Sequence, residues 1–145
     1  MPTDPIPAGT TRHPGGCLAF RLERAGKAYV FATDHEQVEA PDTALASFAH
    51  GADILYTEGQ YTQAEYEGKQ GVPGEGPLPR FGWGHSSIEA CVKTAVAAGV
   101  RSLHLGHREP ARSDADLARL ESEAQNLARE ACKVVIPFEG MTVTL

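Results

Sequence analysis

Cysteine is scarce in this 145-residue sequence, and the three present, Cys17, Cys91 and Cys132, are odd in number and form no C-x-x-C pair. A disulfide framework fits them poorly; a reducing cytoplasm, with each thiol serving as a small apolar residue, fits them better. No apolar run approaches the roughly 20 residues of a membrane-spanning helix, and no charged-then-apolar leader suggests secretion. Positive charge is also short. Thirteen Lys and Arg against nineteen Asp and Glu leave a net charge of -6, so no general basic field exists to grip nucleic acid. A phosphate-bearing ligand would have to be held locally, by a metal or a few side chains. Internal repeats and low-complexity tracts are missing too. What remains, 41% hydrophobic and 22% charged residues, is the composition of an ordinary globular domain large enough for a real core.

Residues 1–16, MPTDPIPAGTTRHPGG, are rich enough in proline and glycine to deny regular hydrogen-bond ladders, which predicts an extended arm. Residues 17–145 are expected to form one domain. Leu18, Phe20 and Leu22 alternate with Ala19, Arg21 and Glu23, the period of a half-buried strand. Gly26, free to take positive φ, turns the chain into a second strand over 28–33, which delivers Asp34, His35 and Glu36 at its end. Asp42 is placed to cap a short helix bearing Leu45, Phe48 and Ala49 on one face, with Gly51 as its stop. Residues 53–57, DILYT, read as an interior strand from which Glu58 emerges, and a helical turn is expected over 62–68.

The stretch 82–114, GWGHSSIEACVKTAVAAGVRSLHLGHREPARSD, organises the rest. It opens at the end of a loop, 69–84, whose five glycines and three prolines accompany Phe81 and Trp83, too long a segment for a mere connector. Ser86 or Ser87 can cap the next helix, in which Ile88, Val92, Ala95 and Val96 recur at helical spacing until Gly99. A strand over 100–105 follows, with His107 just beyond it. Ser113 with Asp116 resembles a capping box and opens a long amphipathic helix marked by Leu117, Leu120, Ala124, Leu127 and Ala131. Residues 133–138 and 141–145 are expected to finish as two strands joined at Glu139-Gly140. The order predicts an α/β (α+β) domain, one mixed sheet covered by helices.

Strand ends present the polar groups: His13 before the first strand, Asp34 after the second, Glu58 after the third and His107 after the fourth, with His85 joining from the loop. Imidazole nitrogen and carboxylate oxygen suit Zn²⁺, Mn²⁺ or Fe. Taken singly, each residue has a plainer reading as a solvated histidine or a capping carboxylate, since none forms a tight local ligand pair. Of the remaining histidines, His104 alternates with apolar neighbours and reads as a packed or edge residue. His50 closes a helix, and His35 either supports Asp34 or faces solvent.

The strings HPGGCLAFRLERAGKAYVFATDHE, GADILYTEGQYTQAEY and GWGHSSIEACVKTAVAAGVRSLHLGHREPARSD together resemble the C-terminal half of a metallo-β-lactamase-fold hydrolase. The branch of RNase Z-like and cyclic phosphodiesterase-like enzymes is the most similar. The resemblance implies that His13, Asp34 and His107 bind divalent metal, Zn with Mn or Fe as alternatives. It implies that His85, supported by Glu58, sits beside the substrate phosphate or leaving group and moves protons. It also implies half of an αββα sandwich, a mixed sheet with helices on one face.

The H-x-H-x-D-H motif that supplies most ligands in that family is not found in this sequence. His13, Asp34 and His107 would then make up less than half of a two-metal shell, and an apolar sheet face would stand uncovered. The expectation is a homodimer, or pairing with a complementary N-terminal half, acting on a phosphodiester-like small molecule or nucleotide. A non-catalytic oligomerising or ligand-binding remnant of that fold is the alternative. An unrelated small α/β binding domain comes last, because it makes the polar strand ends coincidental.

Overall fold

Gly26, at φ 74°, makes the tight turn between the first two strands. β1 (Phe20–Arg24) and β2 (Lys27–Ala32) pair antiparallel, with Arg24 opposite Lys27. The structure, a computed structural model, describes residues 16–145, so His13 and most of the predicted N-terminal arm lie outside the described residues. Every later strand is reached through helix, and such crossovers produce parallel pairs. β3 (Ile54–Glu58) follows α1 (Thr43–Phe48); β4 (Ser102–Gly106) follows α2 (Gln63–Tyr66) and α3 (Ile88–Ala98); β5 (Lys133–Val135) follows α4 (Asp114–Ala128). The strands lie side by side in chain order, with β2 to β5 parallel.

Local chemistry accounts for the helix ends. Asp42 accepts from the Leu45 amide, Ser87 from that of Ala90, and Gly99 at φ 65° closes α3. Ser113 and Asp116 form a reciprocal capping box despite the short aspartate at its far end. Inward residues of α1, α3 and α4, among them Leu45, Cys91, Val92, Ala95, Leu120 and Ala124, pack on Val30, Leu55, Leu103, Leu105 and Val134 of the sheet. The three cysteines are free thiols, two of them buried.

The other sheet face is different. Register aligns Phe20, Phe31, Tyr56, His104 and Val135 across all five strands, and Leu22 opposite Tyr29. Phe20 is 39% and Leu22 44% exposed, while Phe31 stacks on Tyr56 at 5.2 Å. Helices thus cover one face and leave an aromatic stripe on the other. His104 belongs to this face and is buried within it, a packed residue.

The terminal hairpin does not form. The turn at Glu139-Gly140 is present, with the Met141 amide donating to Phe138 O, but 141–145 contain no strand. Side chains have taken the backbone groups a ladder would need: the Ile136 amide donates to Glu121, and Arg108 donates to Pro137 O. Pro137 also lacks a donor, which breaks the pattern where pairing would begin.

Candidate metal centre

Parallel strands place their C-terminal ends along one edge, and that edge is where α/β sheets gather chemistry. Asp34 stands two residues past β2, Glu58 ends β3, and His107 is the first residue past β4. His85 arrives at the same edge because Ser87 caps α3 there, two residues later. The backbone bends sharply to make the delivery: Asp34 has φ 55° and His107 φ 40°, left-handed conformations that cost energy outside glycine and concentrate at functional sites.

Glu58 is the hub. Its side chain is fully buried, with Oε1 accepting from the His35 amide at 2.7 Å. Oε2 meets His85 Nδ1 at 2.6 Å and His107 Nδ1 at 3.3 Å. A carboxylate can only accept, so both imidazoles carry their proton on Nδ1 and turn Nε2 away from Glu58. The two rings lie 4.6 Å apart, and His107 Nε2 is 3.8 Å from Asp34 Oδ1. One ligand atom from each of Asp34, His85 and His107 falls within 4.8 Å of the others. The Asp34 and His107 side chains remain 44% and 43% exposed, so the cluster opens to solvent. The Glu58 hydrogen bond raises the His107 imidazole above an ordinary histidine, against the effect of burial, and the Glu58 and Asp34 charges add to the rise.

Two imidazole nitrogens and a carboxylate oxygen, converging at an open strand edge and steadied by a buried carboxylate, fit a divalent cation in donor type and arrangement. Of the residues expected at the site, Asp34, Glu58, His85 and His107 come together; His13 lies outside the described residues. The geometry groups His85 with Asp34 and His107, although the family resemblance sets it on the substrate side.

Support around the cluster comes from His35, expected either to support Asp34 or to face solvent, from the helix cap Asp42, and from Cys17 and Arg112, which were given no role at the site. His35 is buried: Nε2 meets Asp42 at 2.7 Å, and Cys17 Sγ lies 3.7 Å from Nδ1. Burial pushes the Asp42 carboxyl up, but hydrogen bonds from His35 and the Leu45 amide outweigh it and hold the group below the usual range. Burial, then the Glu58 and Asp34 charges, push the Cys17 thiol up. Arg112, in the loop after β4, donates to Gln60 O and to Glu65 at 2.6 Å, both side chains of the ion pair being buried. Its position between His107 and the Ser113 cap was the available signal, a cation held close to a site by short spacing.

A family model for the beta-lactamase superfamily domain matches residues 3–108. The chain belongs to the beta-lactamase superfamily. Among solved structures, this superfamily member is similar to the metallo-beta-lactamase fold protein YhfI from Bacillus subtilis, with 20% identity and a TM-score of 0.61. The match covers 92% of this chain and 50% of that one, so the chain spans half the length of the structure it resembles. No curated protein matches it. The fold is therefore that of the metallo-beta-lactamase group, whose members typically bind divalent metals. No described helix is long and apolar enough to cross a membrane.

Proposed function

We propose that this chain contributes one half of a metal-dependent hydrolase of the phosphodiesterase type. The observation that carries the reading is the convergence of Asp34, His85 and His107 around buried Glu58. Asp34 and His107 would hold a divalent cation, Zn²⁺ with Mn²⁺ or Fe as alternatives, together with His13. A cation there supplies Lewis acidity, polarising a phosphoryl oxygen and making water more acidic. Glu58 fixes the tautomer and direction of both rings, which spares reorganisation during the reaction. His85, with its Nδ1–H held by the shorter bond to Glu58, would take up a proton at Nε2 from solvent and pass it to the leaving oxygen.

A second reading makes His85 a further ligand, and the 4.8 Å cluster favours it. His85→Ala separates the two: retained metal with lost turnover assigns proton transfer, whereas lost metal assigns ligation. The half-length match and the sheet face with exposed Phe20 and Leu22 and half-buried Phe31 and Tyr56 support a second sheet, supplied by another copy of the chain or by a complementary half. Metal content by mass spectrometry, with turnover of bis(p-nitrophenyl) phosphate, tests the reading. Stoichiometric metal and hydrolysis lost in Asp34→Ala and His107→Ala would support it. A chain that takes up no metal and gives no turnover, alone or with a complementary half, would leave the non-catalytic remnant as the better description.

A further inference from the structure

Glu36 is a buried carboxylate that the scheme above does not use. It is 3% exposed, and its oxygens accept three short hydrogen bonds: from the Tyr66 hydroxyl at 2.6 Å, the Gly82 amide at 2.8 Å and the Gly84 amide at 2.9 Å. Two of these donors belong to the backbone just ahead of His85. Gly82 and Gly84 have φ of 73° and 88°, left-handed values that let the loop fold its amides toward one point. On the far side of His85, the Ser86 hydroxyl donates to His35 O at 2.6 Å and accepts from the Gln37 amide at 2.8 Å. His85 is bracketed on both sides by bonds to residues 35–37, the segment that directly follows Asp34.

We propose that Glu36 is a positioning residue of the site, the group that sets where His85 stands relative to Asp34 and Glu58. This rests on the reading that His85 works beside a metal. The segment 69–84 contains no helix or strand to hold its end in place, so the carboxylate does what a ladder would otherwise do. The two oxygens accept from all three donors: glutamine would aim an NH₂ at one of them and leave at least one backbone N–H, of Gly82 or of Gly84, buried without an acceptor. Burial, reinforced by the Glu36 acceptor, pushes the Tyr66 phenol up and keeps it a donor. Phe81 packs edge-on against the Tyr66 ring at 4.8 Å, closing the same loop over the clamp.

The test uses the full chain as wild type, Glu36→Gln, Tyr66→Phe and Asp34→Ala, with two readouts. One is the NMR resonance of the His85 Nδ1 proton, displaced downfield by its short bond to Glu58, beside that of the His35 Nε2 proton bonded to Asp42. The other is Zn²⁺ affinity by competition with a chromophoric chelator. Glu36→Gln is expected to shift or lose the His85 proton while the His35 proton stays, and to weaken Zn²⁺ about tenfold to a hundredfold, as loss of an outer support does. Tyr66→Phe, which removes one donor, should shift the His85 proton less. An unchanged His85 proton in Glu36→Gln overturns the proposal even if Asp34→Ala abolishes Zn²⁺ binding, and so does equal loss of the His35 and His85 signals, which marks general loosening. If the wild type takes up no Zn²⁺, alone or with a complementary half, the metal reading fails, and the His85 proton alone decides the clamp. If Glu36→Gln does not fold, Tyr66→Phe decides, and a wild-type His85 resonance there overturns the proposal.

Discussion

At the scale of single residues the site depends on Glu58, because one buried carboxylate directs two imidazoles and holds the His35 amide. Glu58→Gln replaces an oxygen shared by two donors with an amide that accepts at only one end. Zn²⁺ affinity should fall about tenfold to a hundredfold, measured by chelator competition. The histidines on either side of β4's end should also titrate apart. The Glu58 hydrogen bond raises His107, whereas burial and then the Lys133 charge lower His104. In the metal-free chain, stability from His107 is fully present below the unfolded value of about 6.5 and is lost as pH rises through its higher folded value. The sign reverses for His104: its contribution is lost as pH falls below about 6.5 toward its lower folded value. NMR titration of the ring carbon protons should place the His107 midpoint above that of His104, and reversed midpoints would refute the assignment. Asp34, Glu58 and His107 were legible as polar residues at strand ends, and His85 as a loop residue beside them. The roles of Glu36 and Arg112 were not, since a charged residue at a strand end or in a loop reads as solvated until the fold buries it.

At the scale of elements, the loop between β4 and α4 is tied to α2 by the buried pair Arg112 and Glu65, which also closes the capping box of α2. Arg112→Met strands the Glu65 carboxylate without its partner and should lower stability by about 3 kcal/mol, read as a fall in urea midpoint. The end of β4 is equally constrained. A Cβ on Gly106 would stand 1.9 Å from the Tyr56 hydroxyl, so the glycine lets an aromatic ring lie across the strand just before His107. Gly106→Ala should cost about 1–3 kcal/mol by overpacking, and Tyr56→Ala in the same chain should recover part of it. Equal losses in the single and double variants would show that the contact does not matter. Helices and strands with strong periodicity were readable from the chain, down to the Ser113 cap. The expected last strand failed because Pro137 and side-chain acceptors intercept the backbone at 136–137, a competition that period-two patterning does not register.

At the scale of the whole molecule, one sheet face is packed by helices and the other carries exposed Phe20 and Leu22 beside half-buried Phe31 and Tyr56. Apolar stripes of this kind are covered in working assemblies or drive association. Light scattering should show concentration-dependent association of the chain alone, reduced by Phe20→Glu with Leu22→Glu. Because both residues are exposed, the double variant should change the unfolding midpoint little. A monomer at all concentrations would sink the self-association reading and leave a complementary half as the partner to seek.

Composition, periodicity and punctuating glycines were enough to predict a mixed sheet with helices, because each records how a short segment meets water. They placed Asp34, Glu58, His85 and His107 at the ends of elements for the same reason. Only the folded sheet decided that these four share one edge, since that follows from β2, β3 and β4 being adjacent and parallel. It alone showed that Glu58 stands between both rings and that Glu36 holds the loop before His85. Those relations span 27 to 49 residues of sequence, across which no local pattern can specify a 2.6 Å contact.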